Sequence, residues 1–330
     1  MARKLRLEYP GAIYHVINRG NYRRNIFETD KTKEAFKQCV FEACERSKWV
    51  LHAFAIMINH FHLALETPEG NLVAGMHWLQ GTFANRFNRF RKVHGHLFQG
   101  RYKAILVEDS KPLGEICDYL HLNPAQAGIV PIERLVEYRH SSYWYLRNPA
   151  ERPEFLRPQT ALDCAGGLPD TPEGWALYDG RLELQAEELA RTGGNGWAER
   201  SRRLCQGWAI GSDGFKAALV KDYGLAGNIR AWESDGVQEV RELRWSEELA
   251  GCFQILERQP EDVFCDRKRA PWKLAIASWM KLHTQAANNW LSAQLNLGSP
   301  SALSSNLTLY RRQIQACDPS WKKLTAKKST

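Results

Sequence analysis

Apolar and polar positions alternate regularly through the first 130 residues of the chain. Ala12 to Asn18 (AIYHVIN) is a β-rich apolar run closed by the turn residues Gly20 and Asn21, which predicts a first strand. Thr29 or Asp30 can cap a helix running to about Arg46, with Phe36, Val40 and Phe41 on its inner face. Trp49 to Ile58 reads as a buried strand, Asn59 breaks it, and His60 to Glu66 follows as a strand with alternating faces. From about Leu72 to Lys92, the residues Met76, Leu79, Phe83 and Phe87 recur about one helical turn apart. Tyr102 to Val107 is a further strand, and Pro112 opens a helix that reaches about Ala127, before Gly128.

The order β-α-β-β-α-β-α matches, in its first six elements, the ferredoxin-like split β-α-β pattern: an antiparallel sheet with helices on one face. The seventh element is an added helix. The expected fold class is α+β, followed by a mainly α-helical C-terminal region. After Tyr145 the texture changes: Arg147 to Pro158 carries three prolines, and Gly166-Gly167-Leu168-Pro169 reads as a linker. From about residue 174 the pattern is helical, interrupted at Gly193-Gly194-Asn195-Gly196. A domain boundary is therefore expected between 146 and 170, giving domains of about 1–150 and 151–330.

Near the C-terminus, Ala286 to Leu295 reads as a short helix and Asn296-Leu297-Gly298 as a turn. Ser299 is a good N-cap with Pro300 at the first helical position, opening a helix to about Arg312. This candidate helix-turn-helix at about 286–312 would set Arg311 and Arg312 against duplex DNA. An ordinary helical hairpin has the same spacing.

Composition narrows the class. Of the 330 residues, 44% are apolar and 25% charged, the balance of a globular chain with a sizeable core. The longest apolar runs, such as Ala53 to Ile58, fall far short of a membrane span, and the charged N-terminus lacks the apolar stretch of a secretory signal. The eight cysteines form no Cys-x-x-Cys pair and sit in apolar contexts, so reduced, mostly buried thiols in a cytoplasmic protein are expected. Net charge is +8, which favours a polyanionic partner. That charge is concentrated: from Gly70 to Val107 there is no Asp or Glu, while Arg86, Arg89, Arg91, Lys92, Arg101 and Lys103 all fall there. Phe83, Phe87, Phe90, Phe98 and Tyr102 are interleaved with them.

Two local patterns carry chemistry. On a strand His60 and His62 point to the same face, where two neutral imidazoles can hold a divalent metal, although His-x-His on a strand often carries no function. His94-Gly95-His96 has the same spacing in a loop and fits solvent or phosphate contact. In Asp118-Tyr119-Leu120-His121-Leu122-Asn123-Pro124, Tyr119 and Asn123 are four apart and share one helix face. A phenol of pKa near ~10 is a poor nucleophile unless a metal polarises the phosphate it attacks. The ordinary alternative is a tyrosine packed on the sheet.

The segments PGAIYHVINRGN, MINHFHLALE and GHLFQGRYKAILVEDSKPLGEICDYLHLNPAQAGIV, in this order, resemble the REP-associated tyrosine transposases of the single-tyrosine HUH superfamily. The resemblance covers roughly residues 1–146 and departs from the family at Ile58, where proline is common; Ile58 flanks the ligands and supplies none. It implies that His60 and His62 bind Mg²⁺ or Mn²⁺, that Asn123 completes the metal site, and that Tyr119 cuts single-stranded DNA through a 5′-phosphotyrosine link. It also implies a substrate beside a palindromic hairpin. With that substrate, the acid-free stretch reads as a single-strand surface in which cations track phosphates, with Arg86, Arg89, Arg91, Lys92, Arg101 and Lys103 as contacts. Phe83 and Phe87 read as core, and Arg19, Arg23 and Arg24 are weaker contacts. Whether the active unit is a monomer or homodimer stays open, as does whether Tyr119 serves its own chain's histidines. Two other classes compete: a non-catalytic DNA-binding regulator using the C-terminal helices, and an RNA-binding module, whose Gly-Phe-Gly/Ala-Phe signature is absent.

Overall fold

The computed structural model describes residues 7–192, 195–222, 234–284 and 286–327, so Gly193 and Gly194 of the predicted interruption lie outside the described residues. Two compact units are present, Met1–Lys216 and Ala217–Thr330.

In the first unit the strands are β1 (Ala12–Arg19), β2 (Val50–Ile56), β3 (His60–Thr67), β4 (Lys103–Val107) and β5 (Ala209–Ile210). The helices are α1 (Asp30–Ser47), α2 (Leu72–Arg91), α3 (Lys111–Gln126), α4 (Ser142–Leu146), α5 (Gln159–Cys164), α6 (Pro172–Arg191) and α7 (Asn195–Cys205), while α8 (Asp213–Asp222) runs across the division at Lys216. The sheet order is β2-β3-β1-β4-β5. Its first four strands pair antiparallel in the ferredoxin-like order, as expected from the element pattern. β5 is a departure: it adds to β4 in parallel, so the sheet is mixed.

Local chemistry explains the boundaries. Thr29, not Asp30, is the N-cap of α1, in a capping box with Thr32, and Lys48 ends the helix in the left-handed region. The period of two along β3 then sorts its side chains. Phe61 faces α1, its ring 4.6 Å from Phe36, while His62 faces the opposite side, its ring 5.6 Å from Tyr119 on α3. The first two helices thus share one sheet face, and α3 covers the other with a core of Leu113, Ile116, Leu120 and the small strand residues Ala53, Ala55 and Ala64. Gly114 permits that packing: a Cβ there would lie 2.3 Å from Cys164 Cβ on α5.

The division of the chain falls after Lys216, later than the composition change between 146 and 170 predicts. Gly166–Pro169, read as a linker, lies inside the first unit, with Leu168 N–H donating to Leu162 O at 3.0 Å, and the proline-rich segment before it is paired as well. Leu51 N–H donates to Phe155 O and Arg157 N–H to Leu51 O, both at 2.8 Å, so the segment lines the exposed edge of β2. Helices α5 and α6 then pack on α3, and β5 joins the sheet.

The second unit contains α9 (Ser234–Leu256), α10 (Asp262–Cys265), α11 (Pro271–His283), α12 (Asn288–Gln294), α13 (Pro300–Gln313) and α14 (Pro319–Lys327). Its core includes Phe253, Trp272, Met280, Leu291, Leu303, Leu307 and Tyr310. The predicted short helix, turn and capped helix are present as α12 and α13. Ser299 Oγ accepts from Ala302 N–H at 3.2 Å, and Asn296 and Gly298 supply positive φ in the turn.

Candidate active site

Tyr119 is positioned by what holds α3 from behind. Asp118, its neighbour, is buried and accepts hydrogen bonds from Tyr178 (2.8 Å), Gln185 (2.7 Å) and Arg181 (3.2 Å), all on α6. His121, one turn further, is bonded to the Tyr178 hydroxyl at 2.9 Å and to Ser142 Oγ at 2.8 Å. This buried polar chain fixes the rotation of α3 and turns Tyr119 toward the sheet, where it is only 3% exposed.

There Tyr119, His60 and His62 line one cleft of about 670 Å³. The Tyr119 ring lies 5.6 Å from that of His62. Burial holds the Tyr119 phenol well above its ordinary pKa, with Cys205 adding to the rise and Ser201 and Asn123 opposing it. The phenol is therefore protonated at neutral pH.

The histidines are prepared differently. Burial lowers His60 to about 4, helped by Arg19, and holds His62 well below its ordinary value, so both are neutral. His60 Nδ1–H donates to Asn59 Oδ1 at 2.7 Å, which leaves its Nε2 lone pair unengaged by that bond. The His62 arrangement is longer. His15 Nδ1 lies 2.8 Å from the Leu204 carbonyl, an acceptor, so that nitrogen carries the proton. Neutral His15 then accepts at Nε2 from His62 Nδ1–H across 2.9 Å, leaving Nε2 of His62 as a lone pair. Both histidines thus have the tautomer that metal ligation at Nε2 requires.

Asn123 is 5% exposed and lies one turn from Tyr119; its Nδ2 is a buried polar atom with no protein hydrogen-bond partner. An amide NH₂ only donates, so a cation would have to take Asn123 Oδ1, and Asn123 is not among the residues that line the cleft with His60 and His62; among the described residues no carboxylate lines it either. Two imidazoles and one amide form a weak cage for Mg²⁺ or Mn²⁺, ions that ordinarily complete their shells with water and substrate phosphate.

Of the predicted DNA contacts, Arg101 and Lys103 line this cleft together with Arg19 and Arg23. Arg86 does not reach it: two 2.9 Å hydrogen bonds tie its guanidinium to Glu42 on α1. Arg89, Arg91 and Lys92 are exposed at the far end of α2. Arg91 there lines a second cavity of about 410 Å³ with Arg24, His94 and His96. Phe83 is buried with Phe36 at 4.9 Å, as core. In the second unit Arg311 Nε donates to Ser278 Oγ at 3.1 Å, while Arg312 is exposed. All eight cysteines are free; four are buried, and Cys265 and Cys317 are exposed.

Three site residues escape sequence reasoning. His15 could have been found, since it shares a strand face with Ile13 and Ile17, an imidazole on an apolar stripe. Ser201 and Cys205 carry no such signal. They lie on α7, more than 80 residues beyond Tyr119, yet Ser201 Oγ is 3.2 Å and Cys205 Sγ 3.4 Å from its hydroxyl. Arg203 pairs with Glu115 at 2.8 Å and docks α7 on α3.

Comparison with known proteins agrees with the motifs. Residues 9–123 match the family described as transposase IS200 like. A protein of Haemophilus influenzae named as a REP-associated tyrosine transposase is 26% identical over 132 residues, covering 37% of this chain and 73% of that protein. The resemblance read from the sequence is thus borne out over the N-terminal region. A solved REP-associated tyrosine transposase bound to a REP hairpin is 14% identical, covers 46% of this chain and 89% of its own, and gives a TM-score of 0.38, too distant a likeness to carry the fold or the function.

Proposed function

We propose that this chain, whose residues 9–123 match the IS200-like transposase family, is a metal-dependent enzyme that nicks and joins single-stranded DNA through Tyr119. The observation that carries the reading is the shared cleft: a buried phenol faces two neutral histidines with proton-free Nε2 atoms, among four cationic side chains.

Arg19, Arg23, Arg101 and Lys103 hold the DNA backbone by charge. The Tyr119 oxygen attacks phosphorus in line, its proton is lost as the bond forms, and a 3′-OH leaves. The product is a 5′-phosphotyrosine that keeps the energy of the broken bond, so a 3′-OH from the same or another strand reverses the step without ATP. His60, His62 and Asn123 are the residues that would hold Mg²⁺ or Mn²⁺, which when bound neutralises charge on the non-bridging oxygens. His15 acts one step back by fixing the His62 tautomer. A substrate beside a palindromic hairpin follows from the resemblance to the REP-associated relatives.

A duplex-binding role for α12 and α13 is a second part of the reading. From Arg267 to the C-terminus the only acidic residue is Asp318, which is buried and accepts from Tyr310. The exposed face of α13 carries Ser301, Ser304, Ser305, Thr308 and Arg312.

A denaturing gel tests the chemistry. Wild type with Mn²⁺ and hairpin DNA should yield a denaturant-resistant adduct, and Tyr119→Phe should yield none. An adduct that survives in Tyr119→Phe removes Tyr119 as the nucleophile; no adduct in wild type favours a DNA-binding regulator.

A further inference from the structure

Behind the two cleft histidines lies a second donor set of a different chemical kind. His15 on β1, His62 on β3 and Cys205 at the end of α7 each offer one ligand atom, and the three atoms lie within 4.8 Å of one another. His62 and Cys205 line the cleft, so an ion entering from solvent meets them. Zinc bonds nitrogen at ~2.0–2.1 Å and thiolate at ~2.3 Å, so tetrahedral ligands sit about 3.5 Å apart. Closing the observed set to that spacing takes movements of about 1 Å.

His15 is already oriented as metal-bound histidines are. Its Nδ1–H is anchored on the Leu204 carbonyl at 2.8 Å, which leaves an Nε2 lone pair directed at His62. Leu204 and Cys205 are adjacent, so the last turn of α7 delivers both the orienting carbonyl and the thiol. Thiolate and imidazole donors suit zinc, whereas Mg²⁺ and Mn²⁺ favour oxygen.

We propose that His15, His62 and Cys205 form a site for a borderline-soft divalent cation such as Zn²⁺, and that filling it closes the hard-ion site in the cleft. The Tyr119 hydroxyl lies beside this set, 3.4 Å from Cys205 Sγ. The inference rests in part on the reading of His62 as a ligand in the cleft. On binding, Cys205 releases its thiol proton to solvent and ligates as thiolate. His62 moves its ring proton from Nδ1 to Nε2, and the inward lone pair replaces the hydrogen bond to His15. A neutral imidazole has one lone pair, so His62 serves either ion but not both. The two ions therefore compete, and Tyr119 is held at the inner one.

Cobalt tests this, since Co²⁺ takes zinc sites and reports thiolate ligation by a near-ultraviolet charge-transfer band. The full chain should bind one equivalent of Co²⁺ with that band and with the visible absorption of tetrahedral cobalt, and Zn²⁺ should bleach both. Cys205→Ser should lose the band, Cys265→Ser, at an exposed cysteine, should keep it, and His15→Gln should weaken Co²⁺ binding more than about tenfold. In the Mn²⁺-dependent adduct assay, the zinc concentration for half-inhibition should rise at least about tenfold in Cys205→Ser, each form compared with its own zinc-free rate. A band that survives Cys205→Ser, or is missing in wild type, overturns the site, and equal zinc inhibition in the two forms overturns the competition. The cobalt spectrum needs no DNA: a band without any adduct in wild type retires the DNA reaction and leaves this site standing.

Discussion

At the scale of single residues, the molecule spends burial on neutral histidines. His15, His52 and His121 are buried, and burial lowers each from 6.5 to about 4. In the unfolded chain they regain ordinary values near 6.5. Their folded pKa values being depressed, they favour the fold fully above pH 6.5. As pH falls from 6.5 toward 4, the unfolded state takes up protons that the fold refuses, and stability is lost. Each pKa unit is worth about 1.4 kcal/mol, so the loss from pH 7 to pH 5 should be on the order of several kcal/mol. Thermal unfolding followed by circular dichroism should show a clear fall in midpoint over that range; an equal midpoint at pH 7 and pH 5 contradicts the neutral assignment. Burial keeps His60 and His62 neutral in the same way.

At the scale of elements, the placement of Tyr119 depends on how deeply α3 is seated. Gly114 is the contact where a side chain has no room, with Cys164 on α5 in the way. Gly114→Ala should force the two helices apart at a cost of about 1–3 kcal/mol, seen as a lower denaturant midpoint. Adduct formation should slow more than Mn²⁺ binding weakens, because Tyr119 moves with α3, whereas of the proposed ligands only Asn123 does and His60 and His62 stay on β3. Adding Cys164→Gly should restore both; failure of that pair to recover the midpoint shows that space at the α3–α5 contact is not what Gly114 provides. Elements were the most legible level of the sequence. Strand alternation and helical period located the first seven, and the ferredoxin-like order followed from them. The placement of His60, His62 and Tyr119 around one cleft was also legible, because their spacing within strand and helix is local. What could not be read was non-local. Residues 153–158 pair with an edge strand, residues 166–169 lie inside the first unit instead of linking two, β5 adds a parallel strand, and α7 brings Ser201 and Cys205 to the tyrosine. Each depends on where a distant segment docks, which a residue pattern does not encode. Arg86 illustrates the same limit, since nothing local announces that Glu42 on another helix holds it.

At the scale of the whole molecule, the question is how positive charge becomes affinity. The net +8 is not what the DNA would meet; the cleft offers Arg19, Arg23, Arg101 and Lys103 with no carboxylate among its lining residues. Each single-strand phosphate neutralised releases counterions, with a slope of about −0.7 in log affinity against log salt. Four such contacts give a slope near about −3, and Arg101→Ala with Lys103→Ala should lessen its magnitude by about 1.4. Arg86→Ala should leave the slope unchanged, since its guanidinium is already neutralised by Glu42. Fluorescence anisotropy of a labelled single strand across a salt series measures all three forms. If the paired cleft variant keeps the wild-type slope while Arg86→Ala lowers it, the strand runs along α2, and the basic cleft around Tyr119 is not where the backbone lies.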